Sequence, residues 1–348
     1  MKNADIMVLD DEPMVVENIK DLIEFETDYS VLSETNPLSA LNLLNEYNVD
    51  LIITDFLMPE MNGIDFLIQA KEKREDLTSI ILTGYADKQN AIRAINEVGV
   101  YHYIEKPWDS DDLLIIIKNA VERGDLLKEI KMKYEELQQA YLETIYRLAI
   151  TAEIFDEDTY AHILRISIFS EKLARLAGES DTFCSQIKYA SMTHDVGKIG
   201  VPKEILQKTE SLIKDEFEII KQHPEIGGRI LRDSTNSLLK MAQEISLFHH
   251  EKWDGKGYIT GLRKEQIPRS ARIVAVVDVF DALMSERPYK EAMPPEEVKE
   301  VFIEGGGRHF DPELTELLLD NFEEFIEIFY KFSMMKQEDV FKVLFEEK

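Results

Sequence analysis

The sequence predicts an α/β unit followed by an all-α unit, and three observations carry that prediction. Over about residues 1–122, short apolar runs alternate with amphipathic stretches of helix length, the rhythm of a doubly wound parallel sheet. Leu127, Ile130, Tyr134, Leu137, Tyr141, Thr144 and Leu148 then recur at spacings of three and four, a heptad seam on one helix. Beyond the seam, five of the seven histidines fall between positions 162 and 250, in stretches that read as helix.

The predicted strands are Ile6 to Leu9, Val31 to Leu32, Leu51 to Thr54, Ile80 to Leu82 and Tyr101 to Ile104. Asp10 and Asp11 follow the first strand, Asp55 follows the third, and Thr83 and Lys106 end the fourth and fifth. Sheets of this kind bind ligands at the carboxyl ends of their strands, so these residues are expected to converge. The run Asp55-Phe56-Leu57-Met58-Pro59-Glu60-Met61-Asn62-Gly63, together with Lys106-Pro107, resembles the receiver domain of response regulators, a flavodoxin-like fold, over the whole of residues 1–122. The resemblance implies that Asp55 accepts a phosphoryl group from a cognate histidine kinase. It also implies that Lys106 pairs with the phosphoryl oxygens, that Thr83 hydrogen-bonds them, that Tyr103 reorients on switching, and that Lys106-Pro107 is a cis peptide. Three clustered carboxylates repel one another unless a cation sits among them, so Asp10, Asp11 and Asp55 imply Mg²⁺.

The last receiver helix is expected over about Ser110 to Arg123, with Gly124 separating it from a linker helix over residues 123–148. A parallel coiled-coil homodimer through the seam would carry a rearrangement of the first unit to the second. The seam packing against its own second unit is the alternative.

Neutral imidazoles and carboxylates are what a pair of divalent metals needs, and the doublet His194-Asp195 lies among His162, His223, His249, His250 and Asp278 in the sequence. A lone histidine is more often a satisfied core or surface residue than a ligand; the clustering is what points to a site. Asp278 falls within the apolar run Ala271 to Met284, where an unpaired buried carboxylate would cost several kcal/mol, and a metal would remove that cost. Successive helical residues are rotated by about 100°, so His194 and Asp195 can serve one site only at a bend or helix end.

Residues 149–335 resemble the HD-GYP family, a branch of the HD phosphohydrolases that hydrolyses cyclic di-GMP. The resemblance runs through His162-Ile163-Leu164-Arg165, His194-Asp195-Val196-Gly197-Lys198-Ile199-Gly200, His223-Pro224-Glu225-Ile226-Gly227 and His249-His250-Glu251-Lys252-Trp253-Asp254-Gly255-Lys256-Gly257-Tyr258. It continues through Asp278-Val279-Phe280-Asp281-Ala282-Leu283, Arg287-Pro288-Tyr289-Lys290 and Gly307-Arg308-His309-Phe310-Asp311-Pro312. It implies an all-helical domain in which Asp195 bridges two metals and His162, His194, His223, His249, His250 and Asp278 complete their shells, with iron or manganese favoured by family precedent. A metal pair generates a nucleophile from water and neutralises charge on the attacking and leaving oxygens of a phosphodiester displacement.

Lys198, on the same local segment as Asp195, is read as a contact to a substrate phosphate or the leaving 3′ oxygen. Arg287 and Lys290 are read as further phosphate contacts, and Tyr258 as a substrate contact; a solvated surface charge is the bland reading of the first two. Asp158 stands four residues before His162, on the same helix face, and would add a third metal; Asp156, Glu157 and Asp158 read equally as an acidic helix start. Ile259 stands where the family's Gly-Tyr-Pro has proline, which restores a backbone donor and removes the rigidity of the ring. Gly305-Gly306-Gly307 lacks the lysine of a phosphate loop, so that segment, His309 included, reads as structural, with Asp311 capping a helix that opens on Pro312.

Composition bounds the partners. A net charge of −28 argues against nucleic-acid polymers, while a small dianion can still bind because charges beyond about 8 Å are screened. No stretch approaches the roughly 20 apolar residues of a membrane span, and the single cysteine, Cys184, reads as a core residue in a reducing cytoplasm. The acidic, aromatic end from Phe322 to Lys348 reads as amphipathic helix, with residues 336–348 as a tail. The whole predicts a phosphorylation-regulated, metal-dependent phosphodiesterase that converts cyclic di-GMP to linear pGpG and on to GMP. The rivals are a non-catalytic module that binds the dinucleotide or a protein, kept open by Ile259, and the same metal chemistry on another cyclic dinucleotide.

Overall fold

A computed structural model describes residues 2–84, 98–154, 159–208, 210–286, 291–333 and 335–345. The chain divides into two compact units, Met1–Glu136 and Leu137–Lys348.

In the first unit, β1 (Lys2–Leu9), β2 (Val31–Glu34), β3 (Tyr47–Asp55), β4 (Thr78–Thr83) and β5 (His102–Glu105) form one parallel sheet in the order β2-β1-β3-β4-β5. All five expected strands are present, most of them extended beyond their apolar centres. Strand side chains alternate between faces, and both faces are covered, so β1, β3 and β4 read as unbroken apolar runs. Ile6, Val8, Leu51, Ile53, Ile80 and Leu82 pack with Val16, Ile19, Ile23, Leu113 and Ile117. Met7, Leu9, Ile52 and Ile81 pack on the other side with Ala40, Leu41, Phe66 and Leu67. Leu9 lies beside Thr54, and Asp55 beside Leu82, so the carboxyl ends of β1, β3 and β4 are level at the point where strand order reverses.

The helix that begins at Ser110 does not end at Gly124. It runs unbroken from Ser110 to Ala152, correcting the expected break between receiver and linker helices. One glycine costs a helix only about 1 kcal/mol relative to alanine, too little to interrupt a helix whose first turns bury Leu113 and Ile117 and whose last bury Ile145, Ala149 and Ala152. Of the seam, Leu127, Ile130, Tyr134 and Leu137 are exposed, whereas Tyr141 packs against the second unit's core and its hydroxyl meets Asn236 Oδ1 at 3.2 Å.

Among the described residues of the second unit every named element is a helix. Its centre is the helix Arg269–Met284, buried on nearly every side through Ile273, Val274, Val276, Val277 and Phe280. Around it pack Thr159–Leu176, Asp181–Ala190, Ser237–Phe248, Pro295–Gly305, Pro312–Asp320 and Phe322–Phe332, with Phe169, Phe302, Phe322 and Phe325 filling the contacts to Phe280. Cys184 lies in the same core. Asp311 caps Pro312–Asp320 by accepting from Glu313 N at 3.0 Å. The carboxy-terminal stretch forms two helices rather than one, and the second, Gln337–Phe345, buries Val340 and Leu344 against Tyr146, Ile163, Leu164 and Met192. Among the described residues no helix is long and apolar enough to cross a membrane.

Candidate metal centre

In the first unit, Asp10, Asp55 and Lys106 of the expected set meet at the sheet's carboxyl end. Lys106 Nζ lies 2.7 Å from Asp10 Oδ2 and 2.5 Å from Asp55 Oδ1. Asp10 also accepts from Glu12 N at 2.9 Å, and Asp55 from Leu57 N at 2.8 Å. Asp10 and Asp55 are buried, Asp11 is exposed at the rim, and buried Thr83 donates to Gly84 O at 3.2 Å. Tyr103 is half-buried with its ring parallel to that of His102, and Lys106-Pro107 is cis. Burial pushes the Asp55 carboxyl up although Lys106 opposes it, and burial would depress Lys106 were it not for its hydrogen bonds to both carboxylates, which carry it up. One ammonium shared by two buried carboxylates leaves net negative charge, which fits a hard divalent cation held by oxygen donors.

The second unit gathers five of its histidines from four separate elements. His162 lies on Thr159–Leu176 and His194 follows a 3-10 turn, Ser191–Thr193. His223 opens His223–Leu231, His249 caps the end of Ser237–Phe248, and His250 follows it. Asp195 sits at the expected bend between two 3-10 turns. The segment after it passes so close to the helix of His223 that a Cβ on Gly197 would lie 1.8 Å from His223 O, so only glycine fits there.

Four imidazoles are tied at Nδ1. His194 Nδ1 meets Ser191 O at 3.0 Å, His223 Nδ1 meets Ile220 O at 2.8 Å, and His249 Nδ1 meets Ile245 O at 3.0 Å. His162 Nδ1 meets Asp281 Oδ2 at 2.7 Å. Each such bond holds the proton on Nδ1 and leaves the Nε2 lone pair available. Three of these lone pairs converge on Asp195: His223 Nε2 at 3.0 Å and His249 Nε2 at 3.6 Å from Oδ1, and His194 Nε2 at 3.3 Å from Oδ2. The three Nε2 atoms and Asp195 Oδ1 are buried without a hydrogen bond. Acceptors facing acceptors in a dry pocket need a cation between them.

Two donor groups are close enough to share an ion: Asp195, His223, His249 and His250, and separately Glu153, His162 and His194. Asp278 is half-buried, with Oδ1 3.8 Å from His194 Nε2. The fully buried carboxylate on that helix is instead Asp281, one turn on, which binds His162 and the buried Arg165 (Nε at 2.5 Å). Glu153, 2 % exposed at the end of the long helix, escaped the sequence reading. Its signal was a carboxylate between Ala152 and Ile154 on a face that buries Ile145, Ala149 and Ala152. Arg287 and Lys290 lie outside the described residues, as does Asp158.

The electrostatics fit a cation-binding pocket. Burial alone would depress His194, but Asp195, Asp278 and Glu153 push it up to about 10. Burial holds His249 and His250 down, the second further because His249 and His223 crowd it. Burial would raise Asp195, yet Lys198, His194 and His223 hold it well below the carboxylate range; Lys198 Nζ lies 2.7 Å from its Oδ2. A cation among these donors would take over from His194 the role of balancing Asp195, Asp278 and Glu153.

Tyr258 stacks on His250 at 4.9 Å between ring centroids. In the loop that carries it, the amide that a proline would lack is used: Ile259 N donates to Glu251 Oε1 at 3.1 Å. His309 stacks on Phe310 at 4.2 Å and belongs to neither donor group, in keeping with its structural reading.

Comparison with known proteins agrees with both halves. Residues 6–118 match the model of the response regulator receiver domain, and residues 143–314 match that of the HD domain. A cyclic di-GMP phosphodiesterase of Thermotoga maritima is 32 % identical over 342 residues, covering 93 % of this chain and 92 % of the relative. The cyclic di-GMP phosphodiesterase response regulator RpfG of Xanthomonas campestris pv. campestris is 34 % identical, covering 90 % of this chain and 86 % of its own. A 3'3'-cGAMP-specific phosphodiesterase 2 of Vibrio cholerae is 42 % identical over 193 residues, which span 56 % of this chain and 37 % of that protein. With a receiver domain and a metal-dependent HD hydrolase domain matched along nearly their whole length, the chain belongs to the family of receiver–HD cyclic di-GMP phosphodiesterases.

Proposed function

We propose that the HD domain hydrolyses cyclic di-GMP to linear pGpG and, in a second cleavage, to GMP, and that phosphorylation of Asp55 by a cognate histidine kinase regulates it. The observation that carries the reading is the set of three lone-pair nitrogens, each tied back through Nδ1, aimed at one buried carboxylate. His223, His249 and His250 would hold one metal and His162, His194, Asp278 and Glu153 the other, with Asp195 between them; nitrogen and carboxylate donors of this kind suit iron or manganese. Bound there, the metals supply Lewis acidity and a nucleophile drawn from water at neutral pH. Water attacks phosphorus, the bond to the 3′ oxygen breaks, and a proton passes to that oxygen, leaving a 5′-phosphorylated linear dinucleotide. Lys198, already on Asp195 Oδ2, is placed to neutralise charge on the phosphate or the leaving oxygen. Tyr258 walls the pocket beside His250. Arg287 and Lys290 remain proposed phosphate contacts.

The exposed seam of Leu127, Ile130, Tyr134 and Leu137 supports a homodimer through the long helix. The relative specific for 3'3'-cGAMP supports a second reading of substrate, in which the same site takes a mixed-base cyclic dinucleotide.

Anaerobic purification with elemental analysis, then incubation with cyclic di-GMP and its mixed-base analogue under Fe²⁺ or Mn²⁺, tests the function. Linear dinucleotide or GMP from metal-loaded protein is the expected result, and the faster substrate names the specificity. Two or three bound metals with no turnover of either would overturn the catalytic reading in favour of a binding module.

A further inference from the structure

We propose that Glu251 is a positioning residue, that it locks the loop carrying Tyr258 across His250, and that the amide of Ile259 is one of the donors that make the lock. The kinetic arm of this inference rests on the phosphodiesterase reading; its structural arm does not.

Glu251 directly follows His250, and its side chain takes its hydrogen bonds from the loop beyond Tyr258. It is 2 % exposed, and its Oε1 accepts from Ile259 N at 3.1 Å, Thr260 N at 2.7 Å, Thr260 Oγ1 at 2.8 Å and Gly261 N at 3.0 Å. Successive amides that point at one anion form a nest, and hydrogen bonds to a carboxylate are stronger than neutral ones. Gly261, at φ +71°, supplies the left-handed turn that brings the third amide inward. The loop also folds back onto the backbone it left: a Cβ on Gly257 would lie 2.5 Å from Glu251 Cα. Between the turn at Gly257 and the nest at residues 259–261, Tyr258 is left across His250, with Lys221 Nζ 5.7 Å from its ring centroid.

The outer part of the loop has separate anchors. Trp253 N donates to His309 O at 3.0 Å, Asp254 N to Arg308 O at 2.9 Å and Lys264 N to Trp253 O at 3.0 Å. None of these reaches Tyr258, whose amide donates to His250 O at 3.5 Å, and the amides of residues 259–261 that follow it are held by Glu251. A proline at 259 has no N–H to give and restrains the loop by its ring instead. In this chain a hydrogen bond replaces the ring.

The test is amide hydrogen exchange over residues 257–261 in the full chain, with bound metal and the KM and kcat for cyclic di-GMP measured on the same samples. Glu251→Ala should speed exchange at 259–261 by tenfold or more, keep its metals, and raise KM several-fold with a smaller change in kcat. Glu251→Gln, which keeps the accepting oxygen, should restore most of the protection and of KM. Unchanged exchange in Glu251→Ala would overturn the lock, and loss of metal with unchanged KM in the residual active fraction would make Glu251 a support of the ligands instead. Should Glu251→Ala fail to fold, Thr260→Val carries the test: it removes the hydroxyl donor, and it should raise exchange at the amides of residues 259–261, whereas no change would overturn the proposal. Because exchange is read without substrate, a wild type inactive on cyclic di-GMP leaves this arm decisive.

Discussion

Each imidazole of the pocket is oriented by what its Nδ1 touches. For His194, His223 and His249 that partner is a backbone carbonyl three or four residues earlier, which no side-chain substitution removes. His162 differs, because Asp281 holds it, and Arg165 shares the same carboxylate. Asp281→Asn should therefore remove a charge held by both His162 and the buried Arg165, lower stability by about 3–5 kcal/mol and weaken metal binding by about 10–100-fold. Metal titration and thermal melts measure the two effects, and full retention of both would show that His162 needs no anchor. His309 yields a pH prediction. Burial, with Lys252 assisting, lowers it to about 4 from an ordinary value of 6.5, so over that window the unfolded chain takes up a proton that the folded protein refuses. Its contribution to stability is complete above pH 6.5 and is lost as pH falls through 4. The melting temperature of metal-free wild type should fall across this window more steeply than that of His309→Gln; parallel curves would remove His309 from the account.

At the scale of elements, the pocket depends on how closely two segments approach. Gly197 lets the turn after Asp195 lie against the start of the His223–Leu231 helix, where a Cβ would meet His223 O at 1.8 Å and Gly227 N at 2.5 Å. Backbone cannot yield as a flexible side chain does, so Gly197→Ala should separate Asp195 from His223 and lower bound metal sharply while helix content by circular dichroism is largely kept. Normal metal content would show that the contact is not what assembles the site. The long helix offers a second test. Leu137 is 70 % exposed, and if the seam pairs with a second copy, Leu137→Lys should lower the mass seen by light scattering. An unchanged dimer would place the interface elsewhere.

On the scale of the whole molecule, the receiver holds its own charge problem in reserve. Lys106 bridges Asp10 and Asp55, and a phosphoryl group on Asp55 would compete for that ammonium. Acetyl phosphate with Mg²⁺ should label the wild type and not Asp55→Asn, and equal labelling would put the acceptor elsewhere.

By itself the sequence determined both folds and the family, and it named the histidines that the fold brings together. Parallel strands buried on two faces must be runs of apolar residues, which made the five strands legible, and acidic residues directly after them had to meet at one end of the sheet. The histidines were legible because they are few and close in sequence. Tertiary structure alone decided three further matters. Gly124 stays helical because packing on either side of it outweighs the local cost of a glycine. Asp281 rather than Asp278 is the buried carboxylate, since two residues three apart on one helix face differ only in depth, which periodicity does not encode. Glu153 and Glu251 acquire their partners across loops and helices, and whether a lone glutamate in an apolar stretch meets imidazoles, amides or water depends on what the rest of the chain brings to it.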